Sequence, residues 1–322
     1  MKLGVFTVLF SQKPFEEALD YIASKGLEAV EIGTGSYPGN AHCNPDLLLE
    51  DDKALQNFKK AIESRGLMIS ALSCHGNPLH PQKAIAKEFH DNFVKTVQLA
   101  EKLEVPVVNT FSGCPGDHEE AKYPNWPVAP WPNDYQEILT WQWEKKIIPY
   151  WKEWGKFASD HHVKIGLELH GGFSVHSPGT LLRLREEAGE VIGANLDPSH
   201  MWWQGIDPVQ AIHILGREGA IHHFHAKDTS IDPINVNKHG ITDMQSYTQM
   251  LDRAWQFRTV GFGHDLKEWA DMMSALRLVG YDYVVSIEHE DGLMSIDEGF
   301  TKAVSNLQQV LLKEPLTQMW WV

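Results

Sequence analysis

The chain has little cysteine: Cys43, Cys74 and Cys114 are three in 322 residues, widely spaced and in no CxxC pair. That excludes a disulfide scaffold and a zinc knuckle and suits a reducing compartment, so a cytoplasmic location is expected. Basic residues are also scarce, 28 Lys and Arg against 43 Asp and Glu, for a formal charge of −15. Every phosphate contact to a polyanion would work against that field, so nucleic acid is not an expected partner. Long apolar runs are missing too. Segments such as Val105–Val108 and Val191–Leu196 fall far short of the roughly 20 residues needed to cross a bilayer, and no membrane association is expected. The N-terminal MKLGVFTVLFSQKPF has no small-residue cleavage site and reads as a first strand rather than a signal peptide. The first strand-to-helix junction, Phe10-Ser11-Gln12-Lys13-Pro14, carries no glycine-rich phosphate loop, which disfavours a dinucleotide-binding Rossmann domain.

What is present is an ordinary globular balance, 43% hydrophobic and 22% charged, with 12 Trp and 17 His in surplus over what a core of this size needs. Short apolar segments alternate with amphipathic ones. Strands are expected at Leu3–Phe10, Ala29–Gly33, Met68–Cys74, Pro106–Phe111, Val163–His170, Val191–Leu196, Ala220–Ala226 and Tyr283–Glu288. Helices are expected at Pro14–Ser24, Asp52–Ser64, Gln82–Leu103, Gln136–Asp160, Gly179–Ala188, Pro208–Leu215, Leu266–Leu278 and Ile296–Leu312. In one of these, Phe89, Phe93, Val97, Ala100 and Leu103 share a face at helical spacing. Lys25-Gly26-Leu27, Arg65-Gly66-Leu67 and Val279-Gly280-Tyr281 each place glycine where a left-handed residue caps a helix before the next strand starts. Eight such alternations predict one (β/α)8 barrel over 1–322, with no second domain required. Ser112–Tyr135 and Thr229–Gly263 read as long βα loops on the C-terminal face, where barrel active sites are built. The apolar tail 314–322 needs a docking surface, either its own barrel or another subunit.

Acids and imidazoles gather at four consecutive strand ends: Glu168 and His170, Asp197 and His200, His223 and His225, Glu288 and Glu290. Residues two apart on a strand share a face, so the pairs 168/170, 223/225 and 288/290 each point one way. Carboxylates crowded around one point repel unless one protonates or a cation sits among them. A divalent ion resolves that conflict. Hard oxygen donors with an imidazole and no thiolate suit Mn²⁺ best, with Mg²⁺ or Co²⁺ next and tetrahedral Zn²⁺ less well.

With these residues the chain resembles the xylose isomerase-like barrel superfamily, which includes ketose 3-epimerases, inosose dehydratase and isomerase, hydroxypyruvate isomerase and endonuclease IV. The resemblance runs from Val30-Glu31-Ile32-Gly33 to Ser286-Ile287-Glu288-His289, through Asp197-x-x-His200 and His225-x-Lys227-Asp228. It implies metal ligation by Glu168, Asp197, His225 and Glu288, and a substrate contact from His200. Arg258-Thr259-Val260-Gly261-Phe262-Gly263-His264 is similar to a substrate-binding arginine loop of the ketose epimerases, which marks Arg258. The resemblance also implies α-proton abstraction through a metal-stabilised enediolate, with Glu168 and Glu288 handling protons on opposite faces. His170 is an alternative base, and His75 at the end of the third strand could hold a substrate hydroxyl.

Endonuclease IV is the weaker match. Strand four ends Asn109-Thr110-Phe111-Ser112-Gly113, with no histidine for a zinc cluster, and no Asp-x-His pair lies within Arg258–His264. No cluster of Arg or Lys marks a phosphate pocket, so an unphosphorylated carbohydrate is the expected small-molecule partner. Trp202, Trp203, Trp126 and Trp131 could stack on a sugar or aglycone face. The reading is therefore a sugar isomerase or epimerase. The alternatives are a lyase on 3-keto-glycosides or inososes, and a non-catalytic sugar-binding or scaffold subunit. A homo-oligomer is expected, and the lyase alternative admits a partner subunit.

Overall fold

Each of the eight apolar segments forms a strand in the computed structural model, which describes residues 1–322. The strands are β1 (Lys2–Phe6), β2 (Ala29–Gly33), β3 (Met68–Ser73), β4 (Val107–Thr110), β5 (Lys164–Glu168), β6 (Ile192–Leu196), β7 (Ile221–Ala226), β8 (Asp228–Ile231), β9 (Trp255–Arg258) and β10 (Val284–Ile287). All but β8 and β9 close into a parallel barrel in the order β1-β10-β7-β6-β5-β4-β3-β2. The glycines expected to end helices do so, with φ of 76° at Gly26, 71° at Gly66 and 83° at Gly280. Only glycine takes that conformation without strain.

Alternation along each strand sorts the side chains. Val30, Ile32, Leu72, Val108, Leu167, Leu196, Phe224, Val285 and Ile287 belong to one apolar cluster of 60 buried residues shared with the surrounding helices. The intervening positions are polar and equally buried: Glu31, Ser73, Asn109, Asn195, His223, His225 and Ser286 are all inaccessible. The barrel's oily layer thus lies outside the strands, and hydrogen-bonding groups fill its upper interior. The fit there is close, since a Cβ on Gly166 would stand 2.3 Å from Asn109 Oδ1.

Three expectations need correction, and a fourth, for the tail, loses one of its two alternatives. The first strand ends at Phe6, and Thr7–Phe10 forms a turn of 3-10 helix. The helix expected at Gln136–Asp160 is Asp134–Gln142 and Ile148–Asp160 joined by a π-turn at Trp143–Ile147. The stretch 229–263 is no plain loop. It holds a helix, Pro233–His239, and most of an antiparallel hairpin of β8 with β9, in which Asp228 faces Arg258 and Ile231 faces Trp255. Four-residue strands are too short for their alternation to be read. Finally, the tail does not dock on its own barrel: Leu316 is 79% exposed and Trp320 88%. Its last tie to the body is Arg277, which donates to the carbonyls of Leu312 and Glu314.

Candidate metal centre

The Asp197-Pro198-Ser199-His200 sequence builds one side of the site. Asp197 is the N-cap of the short helix Pro198–Trp203, with proline pre-set in its first turn. Its Oδ1 accepts from the Ser199 N–H at 2.8 Å. The cap fixes the carboxylate and leaves Oδ2 facing inward, buried and without a well-aligned hydrogen bond. One helical turn on, His200 Nε2 lies 3.1 Å from Glu168 Oε1 and 3.5 Å from Asp197 Oδ2. Trp203 Nε1 approaches His200 Nδ1 at 3.4 Å, so the His200 hydrogen sits on Nε2 and points at the carboxylates.

Glu168 ends β5 and His225 comes near the end of β7. His225 Nδ1 is 3.4 Å from Glu168 Oε2 and 3.2 Å from Glu288 Oε2. Glu168, Asp197, His225 and Glu288 each offer a donor atom, all within 4.8 Å of one another. Lys227, 2% exposed by side chain, lies against the same acids: Nζ is 2.7 Å from Glu288, 3.0 Å from Glu290 and 3.1 Å from Asp197.

The environment divides the carboxyls. Burial pushes Glu168 up, but the imidazoles of His200, His225 and His75 outweigh it and hold the carboxyl well below its ordinary range. Burial also opposes ionisation of Glu288, yet Lys227 and His225 bring it down to about 2. For Asp197 burial wins: with Glu168 and Glu288 adding negative charge against the pull of Lys227, the group rises to about 7. His200 falls to about 3, through burial and then the neighbouring His170. These are the responses expected of crowded acids in low dielectric.

A cavity of about 190 Å³ opens over this cluster. Phe6, Tyr37 and Phe111 contribute an apolar wall, with Glu168, His170, Lys227, Glu288 and Glu290 among the polar lining. The His170 ring packs 4.1 Å from that of His200, and its Nδ1 is bound to the Gly171 carbonyl. A carbonyl only accepts, so the lone pair of His170 is on Nε2. His75 also lines the cavity, its Nε2 3.0 Å from Glu168 Oε2.

A model of the xylose isomerase-like TIM barrel matches residues 19–309. The chain belongs to that family. It is 38% identical over 314 residues, 97% of its length and 99% of the other's, to the uncharacterized protein YfiH of Bacillus subtilis (strain 168). Among solved structures it is similar to the probable 3-DHS dehydratase AsbF of Bacillus anthracis, with TM-score 0.65 and 16% identity over 96% of this chain and 99% of that one. It is also similar to a D-tagatose 3-epimerase-like protein, with TM-score 0.63 and 19% identity over 96% and 98%. A D-psicose 3-epimerase from Clostridium cellulolyticum H10 gives TM-score 0.59 at 16% identity, over 97% and 99%. These structural likenesses establish the shared barrel.

Within this xylose isomerase-like barrel the four clustered residues suit a hard divalent ion: three carboxylates and one imidazole, with Asp197 Oδ2 buried and lacking a well-aligned hydrogen bond. Of the expected substrate contacts only His75 lines the cavity; His200 lies just beneath it against Glu168, and two others are turned elsewhere. Arg258 Nε donates to Asp291 at 3.0 Å. The Trp202 ring stacks on His264 at 3.9 Å, and its Nε1 donates to Glu268 at 2.9 Å. Neither lines the cavity, and each is paired with a residue of the neighbouring loop or helix. Lys227, Glu290, Glu31 and the three aromatics of the wall carried no assigned role from sequence, although Glu290 stood among the acids at the strand ends. Lys227 was signalled by its place in the His-x-Lys-Asp motif, and Glu31 by being an acid inside an otherwise apolar strand. The aromatics gave no signal.

Proposed function

We propose that the protein is a divalent-metal-dependent isomerase or epimerase of an unphosphorylated keto-sugar, acting by proton abstraction α to the carbonyl. One observation carries the reading: Glu168 and Glu288 belong to the same four-residue cluster and both line the cavity. Glu168, Asp197, His225 and Glu288 would hold the ion, Mn²⁺ by preference, which when bound supplies a Lewis acid for the substrate carbonyl. Glu168 is kept ionised by its imidazoles and removes the α-proton, while Glu288 returns one from the other face. His170, neutral and with Nε2 free, is the alternative base. His200 and His75 present hydrogen bonds to substrate oxygens beside Glu168. The lining has one lysine, Lys227, already tied to three acids, and no arginine; that supports a substrate without phosphate.

A second reading is a lyase on a 3-keto-glycoside or an inosose, sharing the same first proton transfer. The apolar wall of Phe6, Tyr37 and Phe111 favours it, because such a wall suits the C–H face of a closed ring. The likeness to a probable dehydratase points the same way. Incubation of the Mn²⁺-loaded protein in D₂O with ketoses, inososes and 3-keto-glycosides tests both. Deuterium is expected at the carbon α to the keto group of one class, and loss of water or aglycone from that substrate selects the lyase. No exchange with any of the three classes would sink the enzymatic reading and leave a sugar-binding role.

A further inference from the structure

Glu31 lies inside β2, three positions round the barrel from the strand that carries His225. It has no exposed surface, and the proposed proton transfers do not use it. A carboxylate so deep is costly unless every lone pair is met. Here Ser73 Oγ stands 2.5 Å from Oε1, Asn109 Nδ2 2.9 Å from Oε1, and Ser286 Oγ 2.8 Å from Oε2. The fourth partner is His225, whose Nε2 is 3.0 and 2.8 Å from the two oxygens.

An ionised carboxylate can only accept, so His225 must carry a hydrogen on Nε2. In the neutral ring that leaves the lone pair on Nδ1, the atom facing Glu168 and Glu288. We infer that Glu31 is a positioning residue that fixes the tautomer and ring orientation of His225, making Nδ1 the nitrogen donor of the metal centre. The inference rests on reading that cluster as a metal centre.

Glu31, His223 and His225 also bring donor atoms within 4.8 Å of one another, which raises a second ion as the rival account. The hydrogen bonds argue against it. His223 Nε2 is 3.1 Å from Ser70 Oγ and its Nδ1 3.1 Å from Asn195 Oδ1, so both nitrogens are engaged. None of the three residues has an unpartnered buried atom.

Glu31→Gln keeps the shape but offers one acceptor and one donor, and Glu31→Ala removes the partner altogether. Isothermal titration of Mn²⁺ into the metal-free proteins is expected to show one ion per wild-type chain. Both variants should bind it about 10- to 100-fold more weakly, the usual effect of losing a carboxylate behind a ligating histidine. In the Mg²⁺-loaded proteins, ¹⁵N spectra of the imidazoles should show a slowly exchanging His225 Nε2 hydrogen in the wild type and its loss in Glu31→Ala. A purely structural role would lower the melting temperature without moving that resonance. Folded Glu31→Gln and Glu31→Ala with affinities within twofold of wild type would overturn the inference, as would two ions per wild-type chain. Should neither variant fold, Ser286→Ala, which removes one donor but keeps the carboxylate, is expected to weaken Mn²⁺ severalfold; unchanged affinity there overturns it equally. A wild-type protein that binds no divalent ion takes the metal-centre reading down with it, an outcome distinct from wild-type and variant binding alike.

Discussion

The barrel has a hollow at each end, and the larger one is at the wrong end for chemistry. At the N-terminal face a cavity of about 490 Å³ is lined by strand starts and helix ends, among them Pro106, Lys164, His222, Tyr281 and Tyr283. At the C-terminal face the cavity is about 190 Å³. The lower hollow has more room, but its ionisable groups do not converge: Tyr281 donates to the Val284 carbonyl at 2.6 Å, and His222 Nε2 lies 3.3 Å from the carbonyl of Glu190. The upper one has six charged or imidazole side chains in its lining, and two of them, Glu168 and Glu288, meet Asp197 and His225 in one cluster. What separates a site from a gap here is convergence of buried charge, not volume.

The strongest way to break that contrast is Glu288→Gln. On the proposed mechanism it removes a ligand and a proton carrier together, so turnover is expected to fall by about 10³ or more with Mn²⁺ affinity also reduced, while the unfolding transition stays cooperative. Undiminished turnover would remove Glu288 from the chemistry and blur the difference between the two ends.

The next effect is at the lower end and concerns stability alone. Burial, then Lys164 and Arg185, bring His222 down to about 4. Its folded pKa lies below the unfolded one, so the native state binds fewer protons. The contribution is complete above about pH 6.5 and is lost as pH falls toward 4, on the order of 2–3 kcal/mol at most. In a plot of melting temperature against pH, His222→Gln should flatten part of the decline in that window and leave turnover at pH 7.5 unchanged. A decline as steep as the wild type's would show that His222 titrates freely. The smallest effect is Tyr281→Phe, which deletes one buried hydrogen bond at about 1 kcal/mol; chemical denaturation measures it. A loss of turnover from Tyr281→Phe would assign the lower cavity a part in function.

Much of this architecture is legible in the sequence. The helix-ending glycines and the alternation of strand and helix foretold the barrel because those signals are local. That Glu168, Asp197, His225 and Glu288 would gather was legible because acids and imidazoles just past strand ends have few structural reasons to be there. Arg258 and Trp202 were misplaced on the same logic: a motif names residue types, but the partner that claims a side chain, Asp291 or Glu268, comes from elsewhere in the chain. The β8–β9 hairpin was hidden by its brevity, and the wall of Phe6, Tyr37 and Phe111 by the fact that an aromatic reads the same in a core and in a pocket.

By itself, then, the sequence determined the barrel and which groups could bind an ion, since periodicity, caps and residue chemistry act over a few neighbours. Only the closed barrel decided which of those groups meet. It brings Glu31 from the second strand under His225 and Lys227 between Asp197 and Glu288, and leaves the aromatic tail exposed. Such contacts span tens to hundreds of residues, and curvature rather than local pattern sets them.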